Sequence, residues 1–232
     1  MYKRILLKLS GEQLQGKYDS GFDTDRAVWI AKEIKKVEAT EIVIMIGGGN
    51  YVRGARVVGG GIERVTADNM GMLSTLLNAL ALADVFNANG VSARALSSIK
   101  ADQVVDQFTH RRALSHLAKK RVVIVAGGIG RPFLTTDTAA VSLALELDCD
   151  AILKATKVDG VYSDDPETNP AAKRFDTISL QEAVENPAVR VMDKAAIALA
   201  ADHEQSIVVF ELLKENNIAR AAAGNPVGTT VH

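Results

Sequence analysis

Residues 42–54 read IVIMIGGGNYVRG: an apolar run, Ile42 to Ile46, passes directly into Gly47, Gly48 and Gly49, with Arg53 close behind. A strand buried on both faces needs such a continuous run, because neither side of it meets water. Glycines just past a strand let backbone N–H groups come close to an anion, and an arginine adds a forked donor. The join therefore predicts an anion site at a strand end. What it lacks is a lysine: the chain holds no GxxxxGK[ST], and no GxGxxG follows its first strand. Positive charge for chemistry on a phosphate has to come from other segments.

Similar apolar runs recur at Ile5–Leu9, Val91–Leu96, Val122–Ala126, Ala151–Leu153 and Ser206–Phe210, most of them after helix-like stretches. This alternation predicts an α/β fold, a single-domain three-layer αβα sandwich with a mainly parallel central sheet, covering residues 1–232. Ala27, Ile30, Ile34 and Val37 lie three or four apart behind Thr24, the expected N-cap, and make one buried stripe. From Thr66 to Ala88 the chain is rich in Ala, Leu and Met without proline. That predicts a long helix whose broad apolar face meets both the sheet and a partner subunit. Ser179-Leu180-Gln181-Glu182 spells a capping box with Pro187 stopping the helix, while Asp159-Gly160 and Asp164-Asp165-Pro166 mark turns.

Lys and Arg number 27 against 28 Asp and Glu, a formal net charge of -1. Broad positive charge for a nucleic-acid polymer or a membrane surface is therefore missing. Cys149, the only cysteine, excludes an intrachain disulfide and a multi-cysteine zinc site, and reads as a buried small hydrophobe in a reducing compartment. The apolar block of MYKRILLKLSGE is too short for a signal-peptide core, and no stretch reaches about 18 uninterrupted apolar residues. A cytoplasmic protein with no membrane partner is expected, and no protein metal site is read from the spacing.

Three further strand ends carry donors. Lys8-Leu9-Ser10-Gly11 closes the first strand with a lysine able to neutralise phosphate. Ala126-Gly127-Gly128-Ile129-Gly130-Arg131-Pro132-Phe133-Leu134-Thr135-Thr136-Asp137 is a glycine loop stiffened by Pro132, with Thr136 or Asp137 expected to cap the helix that follows and an anion compatible with the same helix start. Leu153-Lys154-Ala155-Thr156-Lys157-Val158-Asp159-Gly160-Val161-Tyr162 ends the fourth, where Tyr162 either stacks on a base or covers the sheet. His110, His116, His203 and His232 read as surface or helix residues rather than catalysts.

In this order, KLSGE, GGGNYVRG, ADNMGM, GRPFLTTDTAA, LKATKVDGVYSDDP and VMDKAA resemble the bacterial uridylate (UMP) kinase family of the amino-acid-kinase superfamily, over almost the whole chain. The resemblance implies transfer of the γ-phosphoryl group of Mg-ATP to UMP, giving UDP and ADP in pyrimidine nucleotide (CTP and UTP) biosynthesis, with Mg2+ arriving on the ATP. It implies Lys8, Leu9, Ser10 and Gly11 at the ATP phosphates, Gly49 and Arg53 near the transferring group, and Thr156, Tyr162 and Asp165 at the adenosine end. Gly48 would face UMP, Asp68 would hold its ribose, and Ile129, Gly130, Arg131, Pro132, Phe133, Leu134, Thr135 and Thr136 would wrap its uracil and phosphate. Lys8 and Lys154 would flank the reaction, with Asp137 orienting both and Arg53 completing the catalytic group. The family also implies a homohexamer with GTP as activator and UTP as inhibitor, and Gly16, Lys17, Tyr18, Asp19, Ser20 and Gly21 correspond to its GTP-effector loop.

Two departures bear on the acceptor. The usual loop reads GTGNPF, where this chain has Gly128-Ile129-Gly130-Arg131-Pro132-Phe133, and Ala67-Asp68-Asn69 stands for Gly-Asp-His. Ile129 offers no side-chain hydrogen bond, and Arg131 brings only donors, so uracil recognition rests on backbone groups or is altered. The alternatives are a carbamate or amino-acid kinase of the same fold, and a non-catalytic nucleotide- or anion-binding protein.

Overall fold

The computed structural model describes residues 1–52, 60–166, 168–186, 189 and 191–232. Its strands are β1 (Arg4–Leu9), β2 (Glu41–Ile46), β3 (Ala93–Ser97), β4 (Asp106–Gln107), β5 (Val122–Ala126), β6 (Ala151–Thr156), β7 (Thr177–Ile178), β8 (Ile207–Glu211) and β9 (Thr229–Val231). They form one sheet in the order β4-β3-β5-β2-β1-β6-β8-β9-β7. Pairing is parallel throughout except between β8 and β9.

Strand residues point alternately to the two faces, so one apolar run feeds two cores. Leu7 and Ile44 join Ala27, Ile30 and Ile34 of α1 (Thr24–Lys35) and Leu76, Leu82 and Phe86 of α2 (Arg64–Ala88), with α7 (Asn217–Ala222) beside them. Leu6, Val43 and Met45 face the opposite layer. Its members are α3 (His110–Leu117), α4 (Thr136–Glu146), α5 (Leu180–Glu185) and α6 (Lys194–Asp202). Full burial of a side chain such as Phe86 contributes about 2–3 kcal/mol. The result is the expected αβα sandwich.

The caps differ from expectation by one residue. Asp23, not Thr24, caps α1 by accepting the N–H groups of Asp25 and Arg26, and Thr135, rather than Thr136 or Asp137, caps α4. Val37 lies past the end of α1, half-buried against the core its stripe was expected to join. Ser179 caps α5 as expected, and Pro187 lies outside the described residues. Helix α2 starts at Arg64 and is by length and composition apolar enough to cross a membrane, yet it packs Leu76, Leu82 and Phe86 into the core. Cys149 is buried as expected, and burial pushes its thiol up to about 12.

Chain direction fixes where a ligand goes. From β1 the sheet grows one way to β2 and the other way to β6, and ligands of open α/β sheets sit at the carboxyl ends of strands beside such a switch. The loops after β1, β2 and β5 and the start of α4 meet at that edge.

Candidate active site

Lys8 and Lys154 are register partners on the adjacent parallel strands β1 and β6. Both reach Asp137, in the first turn of α4. Lys8 Nζ stands 2.5 Å from Oδ1 as an ion pair, and Lys154 Nζ donates to Oδ2 at 2.9 Å. Side-chain exposure is only 10% for Lys8, 16% for Lys154 and 14% for Asp137. Burial alone would push the Asp137 carboxyl up, but the two ammonium groups outweigh it and hold it at about 2. Lys154 is drawn down from its usual value by burial, with Asp137 opposing and Lys8 adding to the shift. Lys154 Nζ also donates to Val191 O at 2.6 Å. The cluster thus holds two cations around one anion, with net positive charge open to a phosphate.

Lys8 and Asp137 of this cluster line a cleft of about 620 Å³. Ser10, Gly11, Gly47, Gly48, Gly49, Asp68, Ile129 and Arg131 also line it. The glycines of the opening stretch serve packing as well as access. A Cβ on Gly48 would lie 2.7 Å from Ser74 Cβ, 2.8 Å from Gly71 O and 3.0 Å from Thr75 N of α2. On Gly11 it would lie 2.6 Å from Gly49 N and 2.9 Å from Gly47 O. The loops after β1 and β2 touch backbone to backbone, and Gly47 N–H donates to Leu9 O at 2.8 Å.

Helix α2 holds these loops from the side. Asn78, fully buried, donates to Gly47 O at 2.7 Å and exchanges amide hydrogen bonds with Asn50 at 2.9 and 2.7 Å. Thr75 Oγ1 accepts the Gly127 N–H at 2.6 Å, anchoring the loop after β5. Asp193, the N-cap of α6, accepts hydrogen bonds from the hydroxyls of Thr135 and Thr138. Neither Asn78, Thr75 nor Asp193 was singled out from the sequence. Ser74, Thr75 and Asn78 inside an otherwise apolar helix were the available signal, since a polar group is buried only where it finds partners.

With that geometry established, residues 3–211 match the amino acid kinase family. The chain belongs to this family. It is 46% identical over 231 residues to the uridylate kinase of Erythrobacter litoralis, covering 99% of this chain and 97% of that one. The solved UMP kinase of Bacillus anthracis superposes with a TM-score of 0.95 at 38% identity, over 100% of this chain and 96% of that one. For the UMP kinase of Ureaplasma parvum the TM-score is 0.92 at 33% identity, over 100% and 99%.

Not every expected position of this amino acid kinase lies in the cleft. Leu9 is a core residue whose carbonyl accepts the Gly47 N–H, so its side chain does not line the cleft. Ser10 lines the cleft but caps the turn Gly11–Gln13, its hydroxyl accepting the Glu12 N–H at 3.2 Å. Gly130, Pro132 and Phe133 do not line the cleft, while Ile129, Arg131, Leu134, Thr135 and Thr136 do. Thr156 borders a separate recess of about 200 Å³ with Glu12, Arg26 and Glu211, and its hydroxyl donates to Val158 O at 2.6 Å. Tyr162 donates to Asp159 at 2.6 Å, and the Asp165 backbone carries a turn to Asn169. Gly16, Lys17, Tyr18, Asp19, Ser20 and Gly21 form a surface turn tied to Asn50 and Asp23. Arg53 lies outside the described residues. None of the four histidines lines the cleft.

Proposed function

We propose that the protein transfers the γ-phosphoryl group of Mg-ATP to UMP, forming UDP and ADP. The observation that carries this reading is the pairing of Lys8 and Lys154 across Asp137, with Lys8 and Asp137 on the wall of a glycine-lined cleft. Relatives named uridylate kinase and UMP kinase, similar over nearly the whole chain, supply the acceptor. Transfer between two phosphates demands that repelling anions be held in line while charge on the moving oxygens is offset. Lys8 and Lys154 supply the offset and Asp137 keeps both in place. The acceptor phosphate is already ionised, so the reaction requires no general base. In this reading Gly48 faces UMP, Gly49 and Arg53 lie by the transferring group, and Asp68 takes a ribose hydroxyl. Thr156, Tyr162 and Asp165 serve the adenosine end.

Mg2+ enters with the ATP. Asp137 is engaged by two ammonium groups, and no cluster of three or more His, Cys, Asp or Glu occurs among the described residues. That donor set suits an ion held by phosphate oxygens and water rather than in a protein cage. When bound, it would neutralise charge on the phosphates.

A single domain, cytoplasmic location, a role in CTP and UTP synthesis, a homohexamer, GTP activation through residues 16–21 and UTP inhibition complete the proposal, resting on the family resemblance. Leu73 and Leu77, 55% and 52% exposed on α2, add support for a subunit contact. An ADP-release assay with Mg-ATP tests the function against UMP, dUMP, CMP, carbamate and acetylglutamate. UMP is expected to be the preferred acceptor. Turnover on carbamate or acetylglutamate alone would replace it with the sister activity, and no turnover on any acceptor would leave a binding protein.

A further inference from the structure

Asp68 stands one turn after Arg64 in α2, and its carboxylate is held from two sides. Arg64 Nε lies 2.9 Å from each carboxylate oxygen, and Phe133 N–H donates to Oδ2 at 2.8 Å. The Arg64 guanidinium in turn covers the Phe133 ring, 5.2 Å from its centroid. These three contacts close a triangle between the first turns of α2 and the loop after β5.

Phe133 is 63% exposed and has φ of 68°, a left-handed conformation that a bulky side chain rarely adopts. Burial does not hold it there. The Asp68 carboxylate on its N–H and the guanidinium on its ring are what the structure supplies instead. An exposed ion pair four residues apart on a helix adds little stability, so the arrangement acts mainly on geometry. One Nε–H shared between both oxygens, with one further donor on Oδ2, leaves a carboxylate with acceptor capacity to spare. Both Arg64 and Asp68 line the cleft.

We propose that Arg64 is a positioning residue for the acceptor nucleotide. It fixes the plane of the Asp68 carboxylate and steadies the Phe133 turn, so that the acceptor half of the cleft is assembled before the nucleotide arrives. Arg64 acts through Asp68, and the inference rests on the reading of Asp68 as the ribose ligand of a UMP kinase.

Steady-state kinetics on the full chain with Mg-ATP and varied UMP test this, using Arg64→Ala, Arg64→Lys, Asp68→Asn and the Arg64→Ala/Asp68→Asn double variant. Arg64→Ala is expected to raise KM for UMP about tenfold, the scale of one misoriented charged hydrogen-bond acceptor, while kcat and KM for ATP change less than about threefold. Arg64→Lys, which keeps a positive charge but loses the planar Nε–H shared between the two oxygens, should recover part of the loss. In the Asp68→Asn background the Arg64→Ala effect should shrink to below about twofold, because the two residues act as one unit. An unchanged UMP KM in Arg64→Ala overturns the proposal. So does an equal factor in both backgrounds, a parallel loss in both KM values, or a silent Asp68→Asn in an active enzyme. Failure of the function reading would show earlier, as absence of UMP turnover in the unmodified protein.

Discussion

Replacing Asp137 by Asn removes the one negative charge between Lys8 and Lys154 while keeping the shape of the side chain. At an effective dielectric of about 20, each ammonium contact is worth about 6–7 kcal/mol in Coulomb terms at these separations, before desolvation is charged against it. Linkage gives a net figure for the carboxylate: held at about 2 instead of 3.8, it contributes about 2 kcal/mol at neutral pH. Breaking a buried pair typically costs roughly 3–5 kcal/mol, here reduced because Lys154, already drawn down by burial, can shed its proton. A loss of about 2–4 kcal/mol follows, or roughly 5–15 °C in Tm for a chain of this size. Because the folded carboxyl lies below its unfolded value, its contribution is complete above about pH 4 and disappears as pH falls towards about 2. The variant should therefore lack that step in acid unfolding. Mg-ATP should raise Tm more in the variant than in the parent, since phosphates take over the neutralisation. Misplaced lysines should lower kcat about 10²-fold, and without Asp137 the loss of activity at high pH should begin at lower pH as Lys154 deprotonates sooner. Differential scanning calorimetry with and without Mg-ATP and a pH–rate profile measure all of this. A Tm within about 1 °C of the parent, together with an unchanged kcat, would refute the argument.

Gly48→Ala forces a Cβ against the backbone of α2, at 2.8 Å from Gly71 O and 3.0 Å from Thr75 N, where neither neighbour can yield. Activity in the coupled assay should fall about 10²-fold as the loop shifts, and full activity would show that the loop position is not critical. Asn78→Ala strands Gly47 O and Asn50 Oδ1 without partners and should cost about 2–4 kcal/mol in urea unfolding, a loss below about 1 kcal/mol counting against the role of this amide. Arg131 lines the cleft without a hydrogen bond or ion pair among the described residues. Its donors suit the carbonyls of uracil and not the amine of cytosine, so Arg131→Gln should lower the UMP-to-CMP ratio of kcat/KM about tenfold, and an unchanged ratio would exclude it from base selection.

The six long strands were legible because most are continuous apolar runs buried on both faces; β3 (ARALS), partly exposed and without a β-branched residue, is the exception. β4, β7 and β9, of two or three residues, are too short to show any period, and only their neighbours place them. Caps shifted by one residue where Asp and Thr stand side by side, as at Asp23-Thr24 and Thr135-Thr136-Asp137, since either side chain can cap and tertiary geometry chooses. Lys8 stands out as a lysine at a strand end, whereas the pairing of Lys8 and Lys154 with Asp137 comes only from the family resemblance. Their spacing along the chain says nothing about the register that sets Lys8 beside Lys154. The triangle of Arg64, Asp68 and Phe133 was invisible because it joins a helix start to a loop 65 residues away.

The glycines that open the reading gain a second reason from the structure. A phosphate needs Gly47, Gly48 and Gly49 only to be bare, whereas α2 needs Gly48 bare so that the helix can lie against the loop at backbone distance. The same helix grips the loop after β2 through Asn78, the loop after β5 through Thr75, and Phe133 of that second loop through Asp68. One helix thus spaces the loop after β2 from the loop after β5. Phosphoryl transfer, in which alignment supplies much of the rate, depends directly on that spacing. The polar residues buried along α2 then have a shared role: they hold two glycine loops in one frame, while Lys8 and Lys154, the proposed charge donors, stand on β1 and β6, where strand register rather than loop conformation sets their separation.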